Sequence, residues 1–160
     1  MEYATLNDAK NLLGKDKKSF TTAIISFVFV VLWLYVSIDK FLHFEEFKRA
    51  IYMQEIPRQL IKWTYWSIPP IEMITAMLLL YEKFRSIGLA LSGMLMGIFT
   101  AYMAYIVFGN FEHMPCSCGG IFTAMGWKLH LATNTLLFIM AIYGLINFHR
   151  QKRKEAAVTN

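Results

Sequence analysis

Four long apolar runs constrain this chain more than any other feature of its sequence. Each approaches or reaches the roughly 20 residues that a helix needs to cross a hydrocarbon core about 30 Å thick. The first, residues 20–38, reads "FTTAIISFVFVVLWLYVSI" and has no charge. Residues 61–81, "IKWTYWSIPPIEMITAMLLLY", carry Lys62 near the start and Glu72 inside. Residues 87–108, "IGLALSGMLMGIFTAYMAYIVF", are again uncharged. The last run, 127–147, "WKLHLATNTLLFIMAIYGLIN", has its only charge at Lys128. Lipid offers no water to backbone amides, so each run is predicted to be helical. The expected fold is all-α, a four-transmembrane-helix bundle over 20–147, with a cytoplasmic arm at 1–19 and a basic cytoplasmic tail at 148–160. The apolar share of 56% over 160 residues fits one such domain, since soluble chains hold about 45–50% with glycine included.

The first run also invites comparison with a signal peptide, with Lys10, Lys15, Lys17 and Lys18 as its basic flank. It is longer than a typical signal core, and the following "SIDKFLHF" lacks an Ala-x-Ala-like cleavage site. A retained helix is the expectation. Four crossings put both termini on one side, and Lys and Arg accumulate in the cytoplasm. The four N-terminal lysines, Lys83, Arg85, Arg150, Lys152, Arg153 and Lys154 fall on one side. Lys40, Lys48, Arg49, Arg58, Lys62 and Lys128 fall on the other, spread over longer loops. Both termini are therefore expected inside, in a bacterial inner membrane. The net charge of +5 follows from this arrangement without a nucleic-acid partner, and the basic tail is expected to meet anionic lipid.

Between the runs, residues 1–19 are expected to form a short interfacial helix or a disordered arm. In the first outer loop, "FEEFKRAIYMQEIP" places Phe44, Phe47, Ile51 and Ile56 at near-helical spacing. This predicts an amphipathic helix, either on the membrane boundary or in an outer cap. Pro69 and Pro70 predict a kink or late start in the second span, and since a start near Pro69 would leave too few residues to cross, a proline-kinked span is the expectation. Glu72, one turn on, is either a functional intramembrane acid or a structural one satisfied by backbone groups that the prolines release. Met94, Met96 and Met103 read as adaptable packing rather than metal carriage. Gly88, Gly93 and Gly97, with Ala90, Ser92, Ala101 and Ala104, predict a close-packing face.

The only two cysteines, Cys116 and Cys118, lie in "MPCSCGG" between the third and fourth runs. Random placement would put two cysteines at this spacing on the order of one time in a hundred, so the arrangement is informative. The loop is expected to face the periplasm, where disulfides form and persist. A Cys-x-Cys bridge needs a bent backbone, and strained, exposed disulfides tend to be the labile ones. A staple this short closes almost no chain and adds little stability. Three readings stand: a redox dithiol, a Zn or Cu(I) site with His113 and His130, and a structural staple. Lys128 or a protonated His130 would favour the thiolate. Trp127 and Lys128 also read as interfacial anchors, while His130 and Asn134 share one helix face and are expected to turn inward.

The early "PPIE" of the second run, "PCSCGG", and "GWKLHLATN" opening the fourth together resemble the MauE/DoxX-like redox-associated membrane proteins. The resemblance covers about residues 20–147. It implies a bacterial inner-membrane protein that serves disulfide formation or maturation of periplasmic cysteine-rich proteins, or a small subunit of a membrane oxidoreductase complex. It also implies that Cys116 and Cys118 are the redox pair and Glu72 the intramembrane acid. One dithiol facing one side cannot relay electrons across the membrane by itself. Either a quinone accepts them near Trp127, His130, Asn134 and Glu72, or the pair shuttles between thioredoxin-like proteins. The alternative is an accessory role, docking other membrane subunits.

Overall fold

The computed structural model describes residues 2–54, 56–109 and 126–158, with side chains from Phe20 onward apart from those of Trp127, Glu155 and Val158. Among the described residues all regular structure is helical: α1 (Glu2–Leu42), α2 (Phe44–Tyr52), α3 (Arg58–Leu80), α4 (Arg85–Phe108) and α5 (Trp127–Val158). Three stretches of the described residues are long and apolar enough to cross a membrane, Phe20–Leu42, Arg85–Phe108 and Lys128–Lys154. They coincide with the first, third and fourth runs. With 23 residues α3 has the length, about 34 Å at the α-helical rise. Its prolines, Glu72, Trp63, Tyr65 and Trp66 lower its apolarity below that of the other three.

The N-terminal segment differs from expectation. It forms neither a separate interfacial helix nor a disordered arm, because α1 runs unbroken for 41 residues. Ala4, Leu6, Ala9, Lys10, Leu12 and Leu13 are good helix formers and no proline interrupts them. In the second run the prolines lie inside the helix, as expected, and the start is not late: α3 begins at Arg58 and continues through Pro69 and Pro70. Each proline removes one intrahelical donor, yet the helix is braced from outside. Ser37 Oγ donates to the Pro69 carbonyl at 2.9 Å.

The four long helices close a ring in which α1 packs on α3, α3 on α4, α4 on α5 and α5 on α1. Its core includes Phe29, Trp33, Ala76, Leu79, Leu89, Met96 and Ala141. Between helices in lipid, close packing replaces the hydrophobic effect, so small residues matter. A methyl group on Gly97 would lie 3.1 Å from Phe138, and one on Gly88 only 2.8 Å from the Leu79 side chain. Ser92 joins this face, whereas Ala90 and Ala101 point outward. Met96 and Met103 are packing residues, as expected, and Met94 is exposed.

The amphipathic α2 seats its apolar face on α3, over the end of the ring. Phe47 and Ile51 are buried with Ile61 and Tyr65. The Phe44 ring meets those of Tyr65 and Trp66 at 6.0 and 5.5 Å. This α2 end of the ring also holds the end of α1, the start of α3, the end of α4 and the start of α5. Segment 110–125, which joins α4 to α5 and carries both cysteines, lies outside the described residues.

Candidate functional site

Thr22, Ser26, Trp33, Ser37 and Lys40 recur along α1 at near-helical spacing, and all five are buried. Ser26 Oγ donates to the Thr22 carbonyl at 2.9 Å, a bond within the helix. Trp33 Nε1 donates to Ser92 Oγ at 2.9 Å, and that hydroxyl donates to the Gly88 carbonyl at 2.8 Å. Ser37 reaches Pro69 on α3. Last comes Lys40, whose Nζ donates to Glu72 Oε1 at 2.5 Å, the two side chains being 4% and 0% exposed.

Helix direction explains how that ion pair lies. Ser37 and Pro69 are level, and α1 and α3 run antiparallel. Lys40 is thus about 4.5 Å nearer the α2 end than Ser37, while Glu72 is about 4.5 Å further from it than Pro69. The lysine stem runs back into the ring to meet its partner, the reverse of a lysine that snorkels toward water. The Phe47 and Phe99 rings lie 5.6 and 6.0 Å from the ammonium. In this apolar setting each charge is tolerable only because the other is present.

A cavity of about 20 Å³ adjoins the pair, lined by Trp33, Val36, Lys40, Glu72, Met96, Phe99, His130 and Asn134 among others. Space of this size suits a single small polar molecule such as water. Among the described residues, Glu72 Oε2 and Asn134 Nδ2 are both buried without a hydrogen-bond partner. His130 and Asn134, one turn apart on α5, are 1% and 4% exposed, so their expected inward orientation holds. The fold therefore gathers Glu72, His130 and Asn134 around one cavity. Lys128 is exposed and does not line it. For Trp127 only the backbone, opening α5, is described. Cys116, Cys118 and His113 lie outside the described residues. Among the described residues, no three His, Cys, Asp or Glu side chains are disposed to hold a metal ion.

Lys40 corrects two sequence expectations. It is not an outer-loop charge but a buried residue of α1, and it, rather than backbone freed by the prolines, pairs with Glu72 through Oε1. The signal lay in the stripe Trp33, Ser37, Lys40, which continues one inward face past the end of the uncharged run. A second, larger hollow of about 360 Å³ lies between α2, α3 and α4, with Lys40 also in its wall.

Apolar spanning helices around a buried ion pair define an integral membrane protein of the helical class. The family model described as methylamine utilisation protein MauE matches residues 18–147, and the chain belongs to this MauE family. The matched region contains Lys40, Glu72, both cysteines, His130 and Asn134. No curated protein and no solved structure matches the chain.

Proposed function

We propose that the chain is a four-span inner-membrane thiol–disulfide protein, acting as an accessory to the methylamine utilisation named in its family's description. In this reading α3 is the fourth span. Its 23 residues, its packing along α1 and its neutralised Glu72 support a crossing despite lower apolarity. Both termini are then cytoplasmic, in keeping with the excess of Lys and Arg on that side, and the α2 end faces the periplasm with segment 110–125.

The observation that carries the proposal is the inward placement of His130 and Asn134 in the first turns of α5. The chain emerging from "PCSCGG" leads within a few residues into a polar cluster inside an apolar ring. The Cys116 thiolate attacks a disulfide of a thioredoxin-like or cysteine-rich periplasmic partner, forming a mixed disulfide and releasing one partner thiolate. Cys118 then attacks Cys116 Sγ, freeing the partner's second thiolate and closing the Cys116–Cys118 disulfide. Run backward, the same exchange oxidises the partner. Lys128, at the exposed start of α5, favours the thiolate electrostatically.

The test is trapping. Cys118→Ser leaves the mixed disulfide unresolved, so a partner adduct is expected on non-reducing gels, lost on reduction and absent from Cys116→Ser/Cys118→Ser. In wild type, thiol alkylation in cells should find a mixture of reduced and oxidised pairs. A fully oxidised, unresponsive pair with no adduct in either single variant overturns the reading.

A further inference from the structure

The α3–α4 pair opens toward the α2 end. Beside the short Tyr81–Phe84 turn the two helices touch, since even a methyl group on Gly88 would meet the Leu79 backbone nitrogen at 2.9 Å. At the far end they part around the hollow of about 360 Å³, which α2 caps. Its rim residues Leu60, Trp63 and Ile98 are 52%, 73% and 52% exposed, on the outward faces of α3 and α4. Among the described residues the hollow thus opens sideways, between α3 and α4.

Its chemistry is selective. The walls are mostly apolar and rich in rings, with Phe47, Phe99 and Trp63 among them. Five polar side chains interrupt them: Thr64 and Ser67, whose hydroxyls donate to the Leu60 and Trp63 carbonyls of their own helix, the hydrogen-bonded Tyr102 and Gln54, in which the phenol donates to the amide oxygen, and Lys40. Lys40 and Gln54 are only 3% and 6% exposed. An ammonium has three donors, and among the described residues Lys40 commits only one, to Glu72. Because Glu72 already balances its charge, the site offers a hydrogen-bond donor without demanding an anion. An acyl chain would match the walls but leave that buried donor unanswered, at a desolvation cost.

We propose that this hollow binds a membrane quinone, a flat ring bearing carbonyl acceptors on an apolar tail. The ring lies against the aromatic walls with one carbonyl toward Lys40, and the tail leaves past Trp63 and Ile98 into lipid. This places the quinone between α2, α3 and α4 rather than beside Trp127 and Asn134. Binding stands on the hollow alone; its redox use rests on the dithiol reading. There, oxidation of the two thiols to one disulfide releases two electrons and two protons, which convert the quinone to its hydroquinone.

A short-tailed azido-benzoquinone photolabel tests the site on the full-length protein in phospholipid nanodiscs. Adducts are expected in residues 60–68 and 98–103, competed by unlabelled benzoquinone but not by a straight-chain alcohol of equal length. Thr64→Phe, which fills the hollow, should weaken binding at least tenfold, while Ile139→Phe on the outward face of α5 leaves it unchanged. Should Thr64→Phe not fold, the wild-type map and competition decide alone. Labelling confined to α5, or equal competition by the alcohol, overturns the inference; the latter would make the hollow an acyl-chain slot. Quinone binding without partner adducts removes the dithiol reading alone, and adducts without quinone binding remove this inference alone.

Discussion

Two interfaces of the same ring are built on opposite principles. Between α4 and α5 the contact rests on glycine and apolar side chains: Gly93 faces Ala141 and Ile142, and Gly97 faces Phe138. Between α1 and α3 it is threaded with polar groups, the Ser37–Pro69 bond and the Lys40–Glu72 pair. Close packing gains a little from every atom and loses a little when one is moved. A buried ion pair contributes little net stability, yet loses heavily when one partner goes. The first interface is graded and the second all-or-none.

The sharpest way to break that contrast is to remove one charge. Lys40→Met leaves Glu72 unpaired and should cost about 3–5 kcal/mol. Lys40→Met/Glu72→Leu should recover most of the loss, read as unfolding midpoints in mild detergent by circular dichroism. A double variant no more stable than the single one would mean that the pair does more than cancel its own burial.

The next effect lies where packing is tightest. Gly88→Ala brings a methyl group within 2.8 Å of Leu79 and 2.9 Å of its backbone nitrogen, and overpacking of this kind costs about 1–3 kcal/mol. Smaller still, Trp33→Phe removes the indole donor to Ser92 but leaves that hydroxyl bonded to Gly88. A loss of about 0.6–1 kcal/mol is expected in the same assay. At the lower limit, Gly93→Ala meets nothing nearer than 3.4 Å and should stay within about 0.5 kcal/mol of wild type. A larger effect there would show that the α4–α5 contact is less forgiving than its spacing indicates.

The helical fold was largely legible in the sequence because hydropathy responds to the same solvent that selects helices. Three runs became helices apolar enough to span, and the alternation in 44–56 foretold α2. His130 and Asn134 were also legible, as two polar residues one turn apart in an apolar run. Lys40 was not. Charge counting assigns a lysine at the edge of an apolar run to a loop, and only its register with Trp33 and Ser37 marks it as inward. Its pairing with Glu72 depends on the antiparallel registry of α1 and α3, which neither segment encodes alone. The hollow beside α4 was hidden for the same reason: it arises from the angle between helices, not from any one of them.

The ion pair also bears on how the protein is made. Lys40 leaves the ribosome 32 residues ahead of Glu72, so for a time each nascent helix carries a charge the other has not yet cancelled. On the four-span reading, α3 is the least apolar entrant, and the waiting ammonium of α1 draws it into the bilayer. Insertion of the second hairpin arm is then assisted by the first, and a chain lacking Lys40 inserts α3 less readily, a loss of yield that the unfolding midpoint of the purified protein does not record.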